Sequence, residues 1–163
     1  MSLHPRSIPD VPEETAEIAQ AAFPKGNTYM RMRDELGPIF ADEQFAELFA
    51  ERGQPAASPA QLALVTVMQF AEGLSDRQAA DAVRARIDWK YALGLEMTDP
   101  GFDASVLSEF RTRLVEGNAE LLLFDTMLTC LRDKELLKVR GRMRTDSTHI
   151  LAAIRTLSRL ECI

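Results

Sequence analysis

A short basic stretch near the C-terminus holds the residue types best suited to phosphate and metal chemistry. Four cations precede a single carboxylate, Asp146; they are Lys138, Arg140, Arg142 and Arg144. From Arg142 onwards the side chains can alternate between two faces, which is typical of a β-strand. A carboxylate behind a run of arginines is a candidate metal ligand beside a phosphate-binding surface. The alternative is a surface strand whose cations are simply solvated, as charge runs usually are.

A second group of cations accompanies two consecutive helices. Two S-x-x-Q capping patterns predict helices over Pro59–Glu72 and about Asp76–Arg86, with Gly73 in the turn between them. Helices joined by a tight glycine turn predict a helix-turn-helix arrangement. Its candidate DNA contacts are Arg77, Arg84, Arg86 and the nearby Lys90. The alternative is a plain helical bundle with solvated arginines, and three carboxylates on the same segment favour it.

A later helix, predicted over about Ala104–Glu116, supplies the last two candidate contacts. Its apolar residues repeat at helical spacing and face the core, whereas Arg111 and Arg113 project elsewhere and can reach phosphate. The alternative is pairing within the helix, with Glu109 and Glu116 as the partners. By spacing alone the pairing within the helix is at least as well supported as the phosphate contact.

The elements that position these residues are predicted to be mainly helical. We expect an extended arm over residues 1–12, a helical domain over 13–137 and the start of a different domain over 138–163. The other predicted helices are Glu13–Phe23, Tyr29–Glu35, Asp42–Glu51, Ile87–Gly94 and Asn118–Leu136, the last capped by Asn118. The predicted core residues are Phe40, Phe45, Trp89 and Tyr91, with Leu121, Phe124, Met127, Leu128 and Leu131 as the buried stripe of the last helix.

Composition and charge restrict the class of protein. At 163 residues the chain is long enough for one domain with a real core. The net charge of −6 argues against nucleic acid, but residues 138–163 carry six cations and two carboxylates. Two cysteines without motif spacing predict neither a disulfide framework nor a zinc site. No apolar run could span a membrane and no secretory signal is visible, so we expect a cytoplasmic protein.

Five short motifs in a fixed order resemble one family. They are GLSDRQAA from Gly73, RIDWKYAL from Arg86, DPGFD from Asp99, LSEFR-x-RL from Leu107 and RTDSTH from Arg144. In this order they resemble insertion-sequence DDE transposases, in particular their InsH-type N-terminal domain. The resemblance runs from about Phe23 to Glu161, which is nearly the whole chain.

The resemblance implies a fold, a chemistry and partners. Asp146 corresponds to the first of three catalytic carboxylates, on the first strand of an RNase H-like fold. In that family the carboxylates hold two Mg²⁺ ions for in-line phosphoryl transfer. The implied partners are the element's terminal DNA repeats, further copies of the chain or a full-length transposase, with no membrane. The implied fold is a multi-helix bundle with a helix-turn-helix-like core, followed by the first strand of an incomplete RNase H-like α/β domain.

The chain departs from the family's pattern after Asp146. The second Asp and the final Glu have no counterpart among the remaining residues, and Glu161 is too near in sequence to be that Glu. We therefore expect a truncated transposase that is inactive alone and does not bind Mg²⁺ tightly. The alternatives are a regulatory fragment, which binds element ends or full-length subunits, and a decayed product without a role.

Overall fold

Helices make up the regular structure of the protein, whose computed structural model describes residues 1–6, 8–50 and 52–136. The helices are α1 (Glu13–Ala22), α2 (Thr28–Leu36), a 3₁₀ helix (Asp42–Leu48), α3 (Pro59–Glu72), α4 (Asp76–Ala85), α5 (Ile87–Leu93), α6 (Ser105–Glu116) and α7 (Glu120–Asp133). No strand occurs within these ranges. The mainly helical prediction is therefore confirmed for this part of the chain. The predicted strand near Arg142 lies outside the described residues.

Helix α3 is the central element, as its apolar sequence predicts. Eight of its fourteen residues are buried, and it contacts α4, α5, α6 and the 3₁₀ helix. Ser58 caps its first turn by accepting a hydrogen bond from the Gln61 amide at 3.3 Å. The predicted capping box is nevertheless incomplete, because the Gln61 side chain donates to the Leu93 carbonyl instead. That bond ties the start of α3 to the end of α5.

Aromatic side chains fill the space around α3. Phe45 lies 5.7 Å from Phe110 between ring centroids, in an edge-to-face arrangement that favours aromatic pairs. Phe40 packs against Phe45, and Trp89 is fully buried. Tyr91 is buried in a second, smaller cluster beside α1 and α2. The core prediction for these aromatic residues is confirmed.

Two boundary predictions are wrong for local reasons. The segment predicted as a helix over Asp42–Glu51 is a shorter 3₁₀ helix that ends at Leu48. Asn118 does not cap α7, because it adopts a left-handed backbone conformation with φ of 52°. The N-cap position belongs to Ala119, which offers no side-chain hydrogen bond. The chain therefore turns within the Gly117–Ala119 segment before α7 begins.

The predicted buried stripe of α7 is also wrong in part. Leu121 is 60% exposed and Phe124 is 50% exposed. The residues that pack against the core lie on another face of the helix: Leu122, Leu123, Met127 and Cys130. Because apolar residues surround the first turns of α7, periodicity alone did not decide which face points inward.

The N-terminal arm lies against the helical body. The Ser2 amide donates to the Gln54 carbonyl at 2.7 Å, and the Ala56 amide donates back to the Ser2 carbonyl at 2.9 Å. Further along, Arg33 donates to the Pro9 carbonyl at 2.6 Å. Among the described residues, no helix is long and apolar enough to cross a membrane.

Candidate nucleic-acid interface

The turn between α3 and α4 is built as its sequence predicts. Gly73 takes a left-handed conformation at φ of 66°, and its amide donates to carbonyls in the last turn of α3. The Ser75 hydroxyl then accepts from the Gln78 amide, and the Gln78 side chain accepts from the Ser75 amide at 2.9 Å. This reciprocal capping box fixes the first turn of α4. Three residues thus separate two well-defined helices.

Helix α4 divides cleanly into an inward and an outward face. Its inward face is made of small apolar residues: Ala79, Ala80, Ala82 and Val83. Its outward face presents Arg77, Asp81 and Arg84 to solvent. Small residues on the inward side let α4 lie close to α3, so the long outward side chains begin near the body and reach away from it.

Arg77 and Arg84 are the predicted contacts best placed to reach a partner. Both are exposed, and Arg77 takes part in none of the ion pairs found within the described ranges. Arg84 pairs with Asp81 at 3.1 Å and donates from Nε to the Pro100 carbonyl at 3.2 Å. The Arg84–Asp81 pair is fully at the surface, where such pairs contribute little energy. Both guanidinium groups are therefore available to an anionic ligand.

Arg86 is instead the centre of an internal cluster. Its guanidinium donates to both Asp88 carboxylate oxygens, at 3.0 Å and 2.7 Å, and to Glu72 at 2.6 Å. It also lies over the rings of Tyr29 and Trp89, 5.7 Å and 5.3 Å from their centroids. These contacts join α2, α3 and α5 around one side chain. In this arrangement the donors of Arg86 face the protein.

The contacts around Arg86 shift the pKa of Glu72 and of Arg86 itself. Burial acts to raise the pKa of the Glu72 carboxyl, but hydrogen bonds from Arg86, Tyr29 and Trp89 outweigh burial and hold it below its usual range. The pKa of Arg86 is raised, chiefly by its hydrogen bonds to Asp88. Arg86 and Glu72 therefore each stabilise the ionised form of the other.

Arg111 forms a second internal pair, and its partner is not one of the glutamates of its own helix. It donates to both carboxylate oxygens of Asp76, at 2.9 Å and 2.6 Å. Gln69 donates to the same carboxylate at 2.8 Å. The hydrogen bonds from Arg111 are the main cause of a lowered pKa for Asp76. The pair fastens α6 to the first turn of α4.

Lys90 lies inside the domain. Lys90 is only 2% exposed, and its Nζ donates to the carbonyls of Asp99 at 2.7 Å and Glu96 at 3.3 Å. Burial lowers the pKa of the Lys90 ammonium. The lysine therefore holds the loop after α5 and does not present its charge at the surface.

The other predicted contacts fall into two sets. Arg113 is half-buried, donates to the Leu48 carbonyl at 3.4 Å and lies 5.1 Å from the centroid of the Phe49 ring. The candidates of the basic stretch, with Asp146, lie outside the described residues: Lys138, Arg140, Arg142 and Arg144. The structure thus gathers Arg77 and Arg84 on one exposed face. It directs Arg86, Lys90 and Arg111 towards other parts of the protein.

Sequence reasoning missed the acceptors that engage these arginines. Glu72 lies fourteen positions before Arg86, and Asp76 lies thirty-five positions before Arg111. No local spacing rule links residues so far apart. Only Asp88, two positions after Arg86, was near enough to suggest a partner. Asn27 completes that cluster by capping α2 and donating to Asp88 at 3.0 Å.

A concave site elsewhere on the protein suits nucleic acid poorly. A cavity of about 590 Å³ lies between the N-terminal arm, the start of α3 and the loop after α5. Its walls include three carboxylate residues, Asp42, Glu96 and Asp99, together with Arg6 and His4. Asp42 already accepts three hydrogen bonds, from the Ser58 hydroxyl, the Ala60 amide and the Arg6 amide. Because carboxylates outnumber the single arginine, the walls favour phosphate less than the outward face of α4, which remains the better candidate.

The helical order and the α3–α4 pair agree with a family comparison. The family described as Transposase domain (DUF772) matches residues 17–113, which reach from α1 into α6. This match covers more than half of the chain, and the chain belongs to this transposase-domain family. No curated protein and no solved structure matches this chain. The recognition of a transposase N-terminal region is confirmed at this level.

Proposed function

We propose that this chain is the N-terminal, DNA-binding part of an InsH-type DDE transposase. Membership of the transposase-domain family supports a role in transposition. The five ordered motifs support the finer assignment, because the first four lie within or at the end of the matched residues and the fifth, around Asp146, lies C-terminal to them. The expected ligand is the terminal DNA of the mobile element.

The outward face of α4 is the observation that carries the proposal. Arg77 and Arg84 lie one above the other at the helical spacing of two turns, on the helix that follows a tight glycine turn. Arginine is the residue most used for phosphate and guanine contacts in DNA complexes. We assign α4 the role of the helix that approaches DNA, with α3 behind it as support.

The basic stretch supplies the second part of the proposal. Lys138, Arg140, Arg142 and Arg144 add phosphate contacts beside Asp146, which is assigned as the first carboxylate of the catalytic set. Carboxylate oxygens suit Mg²⁺, which is a hard cation. Within residues 1–6, 8–50 and 52–136, no group of three or more acidic, histidine or cysteine side chains could hold a metal. The proposal assigns DNA binding to the helical part.

Salt-dependent binding tests the role of α4. The full chain is titrated into fluorescein-labelled duplex DNA that carries the sequences flanking the gene, at several salt concentrations. Each lost phosphate contact reduces the slope of log K against log salt by about 0.9. We expect the double variant Arg77→Ala, Arg84→Ala to bind more weakly and to lower the slope by about 2. The matched control removes two exposed cations elsewhere, Lys25 and Arg31, which are also replaced by alanine.

The comparison between the two double variants decides the outcome. Equal affinities and equal salt slopes for both would refute the role of α4, because total charge alone would then explain binding. Absence of DNA binding by the unmodified chain would refute the proposal as a whole. Binding that does not distinguish flanking DNA from a scrambled duplex would show phosphate contacts without readout of the element's ends.

A further inference from the structure

Helix α7 carries an apolar stripe on its outward face. Leu121 and Phe124 are largely exposed, while Leu128 and Leu131 are half-buried. The four residues follow the spacing i, i+3, i+7 and i+10, which is the a/d repeat of a coiled-coil seam over two heptads. An exposed seam of this kind is suited to another helix and not to water.

The outward stripe is separate from the face that α7 uses within its own domain. Leu122, Leu123, Met127 and Cys130 pack against the core from the opposite side. Thr126, between them on the helix, accepts a hydrogen bond from Gln44 of the 3₁₀ helix at 3.3 Å. The inward face therefore accounts for the packing of α7 on the core, while Leu121 and Phe124 remain largely exposed.

The charges beside the stripe are self-complementary in one orientation only. Glu120 begins the helix and Lys134 follows its end, and both lie on the same side of the seam, at g positions. In an antiparallel pair of identical helices, Glu120 of each copy lies near Lys134 of the other. A parallel pair would place like charges together and align the two helix dipoles unfavourably.

We propose that the outward face of α7 is a homodimer interface, in which α7 pairs with α7 of a second copy in antiparallel orientation. A two-fold axis crosses the outward seam at the level of position 126 along the helix. It places Leu121 against Leu131 of the second copy and Phe124 against Leu128 of the second copy. Every a residue then meets a d residue, which is the layer pattern of an antiparallel coiled coil with knobs-into-holes packing. Because both copies use the same patch, the interface is closed and does not extend into a filament.

The same geometry contains one unfavourable pair. Asp125 lies at an e position next to the centre of α7, so the axis brings it close to Asp125 of the second copy. Two carboxylates at this distance repel each other and weaken association. This feature makes the proposed register testable, since removing the charge should strengthen the dimer.

Sedimentation equilibrium of the full 163-residue chain, without DNA, tests the proposal. We expect a dimer with micromolar affinity, because two heptads bury less than about 1,200 Å². Phe124→Asp should weaken it by more than about 100-fold, since it places two charges in the seam. Phe70→Asp is the matched control, because Phe70 is also exposed, at 41%, but lies on α3. Urea midpoints of both variants confirm that each still folds.

A third variant tests the orientation. Asp125→Asn should tighten the dimer by about two- to fivefold, as expected for the loss of one surface charge repulsion. A chain that stays monomeric at several hundred micromolar overturns the proposal. So does a dimer that tolerates Phe124→Asp, or one that Asp125→Asn leaves unchanged. No outcome depends on the proposed DNA binding, because the measurement contains no DNA.

Discussion

Replacement of Arg86 by methionine tests whether this arginine stabilises the fold or serves as a DNA contact. Methionine keeps much of the aliphatic length and removes all guanidinium donors. The change breaks the paired hydrogen bonds to Asp88 and the bond to Glu72, and it leaves Asp88 buried with fewer donors. The contacts with the rings of Tyr29 and Trp89 are lost as well.

The size of the effect follows from the partners and their exposure. A hydrogen bond to a charged group contributes about 1.5–3 kcal/mol net when it is well shielded. The side chain of Arg86 is 36% exposed, so solvent screening reduces the sum of its bonds. We therefore expect Arg86→Met to lower the free energy of unfolding by about 2–3 kcal/mol. Arg84→Met, which removes only an exposed pair, should cost less than about 0.5 kcal/mol.

Urea unfolding followed by circular dichroism measures both variants. With an m-value of about 1–3 kcal/mol/M, the Arg86 variant should lose about 1 M or more in its midpoint. A double-mutant cycle with Glu72→Gln isolates the contribution of that pair, for which we expect a coupling of about 0.5–2 kcal/mol. If Arg86→Met and Arg84→Met were equally stable, the structural role of Arg86 would be refuted. An unchanged midpoint together with weaker DNA binding would return Arg86 to the DNA surface.

Two further predictions concern glycine geometry and pH. Gly73→Ala should cost about 1–2 kcal/mol, because the left-handed backbone is the only obstacle and no atom lies within 4 Å of the added carbon. Gly94→Ala should cost clearly more in the same urea assay, because its added carbon would lie 2.7 Å from the Pro9 carbonyl oxygen. The pKa of Asp76 is lowered by Arg111, so its contribution is fully present above the unfolded pKa of about 3.9 and is lost as pH falls through the folded value. Unfolding free energy should therefore decline below about pH 4, and Asp76→Asn should flatten that decline; an unchanged acid profile would contradict the role of the Asp76–Arg111 pair.

The helices were predictable because their ends carry local chemical signals. Ser75, Gln78 and Gly73 act on residues within four positions, and the bounds of α3 were predicted correctly. Signals of this kind depend on backbone donors and acceptors that every helix end must satisfy. The predicted cap of α7 is wrong because Asn118 can either cap a helix or adopt a left-handed backbone conformation. The sequence does not say which of these two conformations the turn selects.

The roles of the arginines could not be predicted in the same way. Arg77 and Arg86 both lie on the predicted helix-turn-helix segment, yet Arg77 is exposed and Arg86 is partly covered by acidic and aromatic side chains. The difference depends on Glu72 and Tyr29, which only the tertiary packing brings to Arg86. An arginine count along the sequence therefore overstates the number of cations that the helical part offers to DNA.

Fewer arginines are exposed near α4 than the sequence suggests, and this limits the affinity that α4 alone can give for DNA. The outward face of α4 offers Arg77 and Arg84, with Asp81 between them, in a chain whose net charge is −6. Two phosphate contacts support only weak binding at physiological salt. We expect further cations at the DNA to come from the basic stretch at residues 138–144 or from a second copy. A dimer through α7 would present two α4 faces at once, and linked sites bind far more tightly than either does alone when their geometry permits. The two proposals rest on different residues, but each supplies what the other lacks: α4 provides the contact with DNA, and α7 provides the multiplicity that makes a small contact sufficient.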